Sequence, residues 1–482
     1  MKRLTLLMML LCYYVSKAQD GGPDSDEFGA QGVPPIDQLV TIPPSPEAQA
    51  FTRYGNVENS LYTGTPNIQI PLTELKGRDM ALPINLTYDA SGLQVEKIAT
   101  WVGFNWNLAV GGVITRQVHG LPDDHLGANP PYVPFYASPD FAMVRDENFM
   151  PGIRHSVDDL DAYFTFLNRH QDGQEETQPD AYSMSINGLS ATFYVDYTSD
   201  ASNIGIFEAR SLDKPELKAR VFHNQGNPIK VIERWEITDA YGNQYIFSKP
   251  ETTFAYDGDG LDRQRTYHSS WYVSEIIAAN NRDVINFEYT PPTKWKNRQL
   301  AGRGFTRMDR PVAPYDPCAA INAEVNAGSP EYQIAQIELQ RIYINGKMRA
   351  WFVPDYELRK DLQWKKSLDK IRIYNQNEEQ INEFDFEYSY FGEIDPVREY
   401  KSRLRLDALY ERGMPGLAGA PKKHTFIYNE GMMPSRNSYA MDFWGFYNGK
   451  DNNETLISPS GVQRIDAQFS GADRTPSLEH TK

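Results

Sequence analysis

Two aspartates and a histidine stand side by side in "LPDDH", residues 121–125. Carboxylate oxygens and imidazole nitrogens are ligands for divalent metals, so Asp123, Asp124 and His125 are candidate metal ligands. The same three residues, following a β-rich segment, are also typical of a solvated turn. We favour the turn and predict no metal site here.

Calcium and zinc motifs are the next candidates. The stretch "DGDGLD", residues 257–262, supplies three aspartates, but in an EF-hand register Leu261 falls where an oxygen ligand is needed and Asp262 replaces the glycine. We predict a flexible acidic loop, with a looser calcium site as the alternative. No pair of histidines forms His-x-His or His-Glu-x-x-His, so no zinc site is predicted. The eight histidines are His119, His125, His155, His170, His223, His268, His424 and His480.

Nucleophilic chemistry is not indicated either. The sequence has no Gly-x-Ser-x-Gly elbow, and Cys318 lies in a Pro/Ala-rich segment without a nearby histidine. Paired carboxylates are frequent, but glycoside hydrolysis needs two carboxyls at a set separation in space. We therefore predict no catalytic, metal or cofactor-binding residues, and keep an unrecognised hydrolase as a minor alternative. The N-glycosylation patterns at Asn85 and Asn453 are read as incidental.

The stretch "WVGFNWNLAVGGVITR", residues 101–116, mixes tryptophans with glycines. Exposed indoles could stack on sugar rings, whereas buried indoles beside glycines would form a sharply bent strand pair. The flanking Val110, Val113 and Ile114 favour burial, so we predict a core corner in which Trp101 and Trp106 point inward. We interpret "YAMDFWGFYNGK", residues 439–450, in the same way.

The N-terminus predicts export. Lys2 and Arg3 precede an apolar run over 4–15, and small residues precede Gln19, so residues 1–18 are predicted to be a signal peptide. Its removal takes away three positive charges and moves the formal net charge from −16 to −19. Such an acidic chain is a poor partner for nucleic acid or anionic lipid. Only Cys318 would survive cleavage, which excludes an internal disulfide. No second apolar run is long enough for membrane insertion, so we expect a secreted or cell-surface protein.

The elements that would position any site are strands. Leu82, Ile84, Leu86 and Tyr88 alternate with more polar residues, as in a half-buried strand. Turn dipeptides at 187–188, 242–243 and 345–346 predict antiparallel hairpins. Helical signals are few, and 316–327 is predicted to be a short helix starting at Asp316-Pro317. We predict an all-β fold of antiparallel hairpins in sandwich-like layers.

Three hairpin-like segments close on the same aromatic pattern. Residues 271–289, 367–388 and 404–428 each have a leading strand, a polar turn and a closing Phe-x-Tyr. Their intervals differ, which excludes a fixed-period solenoid. We predict a recurrent hairpin whose Phe and Tyr share one face of its second strand. The predicted divisions are a Pro/Gly-rich leader without fixed structure at 19–50, a β domain at 51–265 and a hairpin region at 266–482.

Several blocks resemble the N-terminal region of large secreted RHS/YD-repeat proteins. They are "YGNVENSLYTGTPNIQIPL", "LPINLTYDASGLQVEKIATWVGFNWNLAVGGVITRQVHGLPDD", "PDAYSMSINGLSATFYVD" and "YAMDFWGFYNGKDNNETLIS". The second block is also similar to the start of the insecticidal toxin complex B component. Asn105 stands where that family usually has a second glycine, and asparagine tolerates a positive φ there.

The resemblance implies a β-strand shell that encloses a C-terminal cargo or toxin. No long repeat array or toxin follows in this sequence, so we expect the front part of a longer polypeptide, truncated at its C-terminus. It implies a non-catalytic structural role, with a downstream RHS core, a toxin segment or a separate chain as partner. A stand-alone carbohydrate-binding or adhesive module is the alternative, although we expect no glycan partner.

Overall fold

The computed structural model describes residues 45–48, 66–119, 122–124, 178–186, 188–197, 199, 205–224, 231–256, 264–298, 303–307, 322–326, 331–414, 420–429, 431, 433–456, 472–477 and 479–480. Regular structure in these residues is nearly all antiparallel strand, as the sequence predicts. The short exceptions are a helical turn at 46–48 and a 3₁₀ helix at Glu399–Lys401.

A small sheet of three strands comes first along the chain. It contains β1 (Asn67–Lys76), β2 (Ala81–Asp89) and β3 (Trp106–Ala109), paired in that order. The alternation in β2 has the predicted consequence, since Leu82, Ile84 and Leu86 are all buried. These leucines and isoleucines belong to the same hydrophobic core as the residues of the larger sheet.

Eight further strands form a closed antiparallel ring. They are β4 (Gly112–Gln117), β5 (Ala181–Ile186), β6 (Leu189–Asp196), β7 (Ile206–Ser211), β8 (Lys218–His223), β9 (Ile232–Thr238), β10 (Gln244–Tyr256) and β11 (Gln264–Ile277). Each pairs with the next, and β11 returns to β4. The closure leaves no free edge within this ring.

A second run of strands extends from β11. It passes through β12 (Val284–Tyr289), β17 (Leu339–Ile344), β18 (Lys347–Leu358), β19 (Lys366–Tyr374), β20 (Gln380–Gly392), β21 (Ser402–Arg412) and β22 (Lys422–Thr425). Beside it, β16 (Glu331–Gln336) pairs with both β10 and β13 (Thr293–Arg298), while β14 (Arg303–Arg307) and β15 (Asn322–Asn326) form a separate pair. We call the seven strands β12 and β17 to β22 the hairpin sheet.

The predicted hairpin turns are confirmed. The β9–β10 hairpin turns at 239–243, and β17 joins β18 through Asn345-Gly346. Strands β5 and β6 pair from Ile186 and Leu189 outward, on either side of the predicted turn, where Gly188 has a φ of 81° and residue 187 lies outside the described residues. Asn345 and Gly346 both have positive φ, 53° and 78°, as a two-residue type I′ turn requires. The three Phe-x-Tyr segments also fold as hairpins: β11–β12, β19–β20 and β21–β22.

Two predictions of local secondary structure are wrong in the described residues. Residues 322–326, expected to be the end of a short helix, form strand β15, because pairing with β14 overrides weak local helix propensity. Residues 45–48, assigned to a leader without fixed structure, form a buried helical turn. Ser45 caps this turn by accepting a hydrogen bond from the Ala48 amide at 3.2 Å, and Pro46 occupies the first helical position.

The predicted division at 265/266 lies inside β11, which pairs with strands from both sides of it. It marks no break in the sheet, and the two named regions stay a prediction. No helix in the described ranges is long and apolar enough to cross a membrane.

Candidate functional site

The stretch 101–116 forms the predicted corner. Trp101 and Trp106 are 6% and 3% exposed, and the chain between them reverses through positive φ at Gly103 (115°) and Asn105 (63°). Asn105 thus has the positive φ that the sequence predicts, a conformation that asparagine tolerates better than most residues. The Thr100 hydroxyl closes the corner by donating to the Trp106 carbonyl at 2.6 Å.

The hairpin sheet holds both ends of this corner. The Leu368 amide donates to the Trp101 carbonyl at 3.0 Å, and the Phe104 amide donates to the Leu404 carbonyl at 2.8 Å. Gly103 has to be small here, since a Cβ would lie 3.1 Å from the backbone nitrogen of Leu406. The glycine and the indoles therefore serve close packing of one sheet on another.

A buried ion pair fastens the same segment. Arg359 donates two hydrogen bonds to Asp361, at 3.0 and 2.8 Å, and two more to the carbonyls of Ala99 and Thr100, at 3.0 and 3.1 Å. Burial opposes ionisation of Asp361, but the Arg359 guanidinium outweighs it and lowers the pKa of that carboxyl. Sequence reasoning missed this clamp, whose only local signal is the charged turn "RKD" at 359–361.

The tyrosines of the Phe-x-Tyr pattern make one repeated contact. In each hairpin the tyrosine hydroxyl donates to a backbone carbonyl of that hairpin's own leading strand. The pairs are Tyr289 to Val273 at 2.7 Å, Tyr388 to Leu368 at 2.8 Å, and Tyr428 to Leu406 at 2.6 Å. We call this contact the tyrosine lock. In the second hairpin the predicted shared face is observed, with the Phe386 and Tyr388 rings stacked at 6.3 Å and 7°. In the third hairpin, Phe426 and Tyr428 lie just beyond β22.

The third lock reaches the corner. The Trp106 indole N–H donates to the Tyr428 hydroxyl at 2.7 Å, and the Trp106 ring lies 4.6 Å from Phe426 and 4.9 Å from Tyr88. Trp106, on β3 of the three-stranded sheet, thereby also contacts the chain just beyond β22.

Replacing the lock hydroxyls should lower stability in a graded way. Tyr388→Phe removes one hydrogen bond to a buried carbonyl, and we expect a loss of about 1–2 kcal/mol in the free energy of unfolding. Tyr428→Phe also removes the partner of the Trp106 indole, so its loss should be larger, about 2–3 kcal/mol. The control is Tyr356→Phe, whose ring is 94% exposed and which should change stability by less than about 0.5 kcal/mol. Urea unfolding measures all three, and equal effects for Tyr428→Phe and the control would refute the lock.

The interior of the eight-stranded ring contains three aromatic side chains in mutual contact. Tyr182, Trp235 and Trp271 lie on β5, β9 and β11, with ring centroids 4.8, 5.9 and 6.0 Å apart. All three are fully buried, and the Trp271 indole donates to the Ile232 carbonyl at 3.1 Å. These aromatic side chains fill the interior of the eight-stranded ring and line no open groove.

The aspartates of "LPDDH" are not solvated, so that prediction is wrong. Asp123 and Asp124 are buried, together with Arg116 and Asp180. Arg116 donates to Asp180 at 2.6 Å and also contacts Asp124, whose other oxygen accepts from the Ile232 amide at 2.7 Å. The backbone amide of Asp123 donates to the Asp180 carboxylate at 3.0 Å, and the backbone amide of Asp180 donates to the Asp123 carboxylate at 3.1 Å.

Ion pairing with Arg116 and the raised pKa of Asp123 explain how this cluster tolerates burial. One arginine faces three carboxyls, and burial together with the charge of Asp180 raises the pKa of Asp123 well above its usual range. The carboxylates outweigh the effect of burial on Arg116, whose pKa is raised, so it stays charged. The cluster is a buried, ion-paired joint between β4, β5 and β9, and not an open cation site.

Within the described ranges, no group of three His, Cys, Asp or Glu residues is placed to hold a metal ion. Several candidates fall elsewhere: His125, Cys318 and the 257–262 loop lie outside the described residues. Of the two glycosylation patterns, Asn453 uses its amide to donate to the carbonyls of Tyr439 and Asp473, at 3.2 and 3.0 Å. Asn85 lies half-buried on β2.

The second aromatic stretch differs from the first, and the prediction for its centre is wrong. Phe443 and Trp444 are 65% and 68% exposed, although Tyr447 is buried. Asp442 accepts hydrogen bonds from the amides of Trp444 and Phe446, both at 2.9 Å, and Gly445 has a φ of 84°. This tight turn places two rings in solvent.

Comparisons with known proteins give structural similarity only. No family model matches the chain, and no curated protein matches it. Crystal structures of TcdB2-TccC3-Cdc42 and of TcdB2-TccC3 are similar, each with a TM-score of 0.33 and 11% sequence identity. Each alignment covers 72% of this chain, which spans 15% of the length of the chain that it matches.

Proposed function

We propose that this chain is a non-catalytic structural part of an exported RHS/YD-type shell protein, in which antiparallel hairpins build the wall. The observation that carries the proposal is the tyrosine lock: three hairpins use the same hydroxyl-to-carbonyl contact, and the third also anchors the Trp106 corner. A wall needs such contacts within each hairpin, because every added strand pair must be stable beside its neighbour. Export rests on the predicted signal peptide at 1–18.

The charged groups that converge in the described fold support the same proposal. The carboxyls around Arg116 and Arg359 are buried and hydrogen-bonded to backbone groups or arginine. A general acid or base must reach a substrate proton. These carboxyls instead join strands and loops, which is a structural use.

A matched pair of tryptophan variants tests the proposal. Trp106→Ala should lower the free energy of unfolding by about 3–5 kcal/mol, because the ring is buried between two sheets. Trp444→Ala, with an exposed ring, should leave it within about 0.5 kcal/mol of the parent value. Both proteins and the parent are then applied to a glycan array. A parent signal that Trp106→Ala removes without loss of stability would overturn the structural role.

The exposed pair Phe443 and Trp444 favours a second candidate, a glycan-binding or adhesive surface. Their turn is fixed by Asp442, and the Arg474 guanidinium lies 4.5 Å from the Phe443 ring centroid, so one of the two exposed rings stands beside a cation. Stacking on a sugar would use the flat indole face. The same array decides this candidate: a parent signal lost in Trp444→Ala supports it, and the absence of any parent signal excludes it for the glycans displayed.

A further inference from the structure

The turn at 45–48 is bound by residues from several other parts of the chain. Its contacts to the rest of the protein come from side chains and backbone far away in sequence. The Trp101 amide donates to Glu47 Oε1 at 2.9 Å, Gln336 contacts Glu47 Oε2, and the Ser45 hydroxyl lies 3.3 Å from the Tyr272 hydroxyl. Ala48 fills an apolar pocket with Val113, Tyr272 and Ile337.

The turn covers a second buried carboxyl, Glu251 on β10. Glu251 accepts from the Ser270 hydroxyl at 2.8 Å and from the Ile337 amide at 3.2 Å, and it also interacts with Ser45. Every described hydrogen bond to Glu47 and Glu251 therefore comes from a neutral donor. Ionising both carboxyls would be energetically unfavourable, because two negative charges would then be buried close together with only neutral hydrogen-bond donors around them.

The nearby cations are already paired. Lys365 lies 2.6 Å from Glu338, and Arg359 binds Asp361. The other titratable groups facing the turn are Tyr272 and Tyr289, and burial raises the pKa of both hydroxyls well above the usual range. Glu47 and Glu251 are thus the two carboxyls here whose pKa burial raises above the usual range.

We propose that residues 45–48 occupy a proton-linked binding site between β10, β11 and β16, and that this turn binds more weakly as the solution becomes alkaline. The ligand class is a capped turn of the form Ser-Pro-Glu-Ala, supplied by the chain itself. A cavity of about 30 Å³ remains beside Glu47 and Trp101, so the packing around the turn is incomplete.

The direction follows from the two carboxyls. Burial, with the charge of Glu47 as a smaller contribution, raises the pKa of Glu251 from 4.5 to about 8, and burial also raises the pKa of Glu47. The docked state therefore holds protons that the undocked state would release. Docking is strongest below pH 4.5 and is weakened as pH rises to about 8. Release of one proton, from Glu251 alone, would weaken the docking equilibrium constant by at most about tenfold for each pH unit in this range.

Hydrogen exchange on the full chain tests this. Protection factors, each corrected for the intrinsic exchange rate, are measured for the Ala48 and Trp101 amides from pH 5 to 9, with the amides of β19 as an internal reference for global opening. We expect protection of Ala48 and Trp101 to fall relative to β19 up to about pH 8 and then to level off.

Neutral variants identify the groups responsible. The double variant Glu47→Gln/Glu251→Gln keeps an acceptor at each position but cannot ionise, so its relative protection should not depend on pH. Glu74→Gln, at a half-exposed carboxyl on β1, should keep the parent's pH dependence. A flat parent profile, or the parent's slope in the double variant, would overturn the proposal. The parent profile decides the question even if the double variant fails to fold.

Discussion

Arg116→Met is expected to lower the free energy of unfolding at pH 7 by about 3–5 kcal/mol, because it leaves buried carboxylates without their cation. Arg116 is fully buried and contacts both Asp124 and Asp180. Removing one partner of a buried pair costs more than the pair itself contributes, since the remaining charge cannot reach water. Urea unfolding at fixed pH measures the loss.

The same variant should recover in acid. Burial raises the pKa of Asp123 and Asp124 above 3.8 in the folded protein, and loss of the guanidinium raises them further. Groups with a raised folded pKa favour folding below the unfolded pKa and oppose it as pH rises through the folded pKa. The difference between parent and Arg116→Met should therefore shrink as pH is lowered from 7 towards 4.

The control is Arg210→Met, which removes an ion pair to Asp196 at 2.9 Å on the surface. The Arg210 side chain is 72% exposed, so the loss should stay below about 1 kcal/mol and should fall with added salt. Equal losses for the two arginines, or a loss at Arg116 that is unchanged between pH 7 and 4, would contradict a buried, ion-paired cluster.

Trp235→Ala is expected to cost about 3–5 kcal/mol, because its ring lies at the centre of the closed eight-stranded ring. It contacts Tyr182, Trp271 and Phe193, at centroid distances of 4.8, 6.0 and 6.3 Å. The matched control is Tyr241→Ala in the turn that follows the same strand, where the ring is 86% exposed. Urea unfolding of both variants should separate them by several kcal/mol, and a loss under about 1 kcal/mol at Trp235 would show that the interior is not close-packed.

The strands could be predicted because their causes are local. Alternation in β2 and the Asn345-Gly346 turn depend on neighbours in sequence, and both are observed. The fate of Asp123 and Asp124 could not be predicted in the same way. Their burial depends on Asp180, 57 residues beyond Asp123, and on an arginine in an apolar strand. That lone Arg116 among Val113, Ile114 and Thr115 was the available signal.

The two aromatic stretches show why composition alone misleads. Both combine rings with glycine, yet Trp106 is buried and Trp444 is exposed. The difference lies in their partners: the hairpin sheet supplies carbonyls and Tyr428 to the first stretch, while Asp442 closes the second on itself. Sequence distance hides the first set of partners, since Tyr428 lies 322 residues from Trp106.

The hydroxyl contact between each tyrosine and its own leading strand has an evolutionary consequence. Because donor and acceptor are encoded within one short stretch of gene, duplication of that stretch copies the complete contact, and deletion of the Tyr289 or the Tyr388 hairpin removes the donor together with its acceptor. Chains built this way can lengthen or shorten by whole units while the surviving units keep their internal bonds.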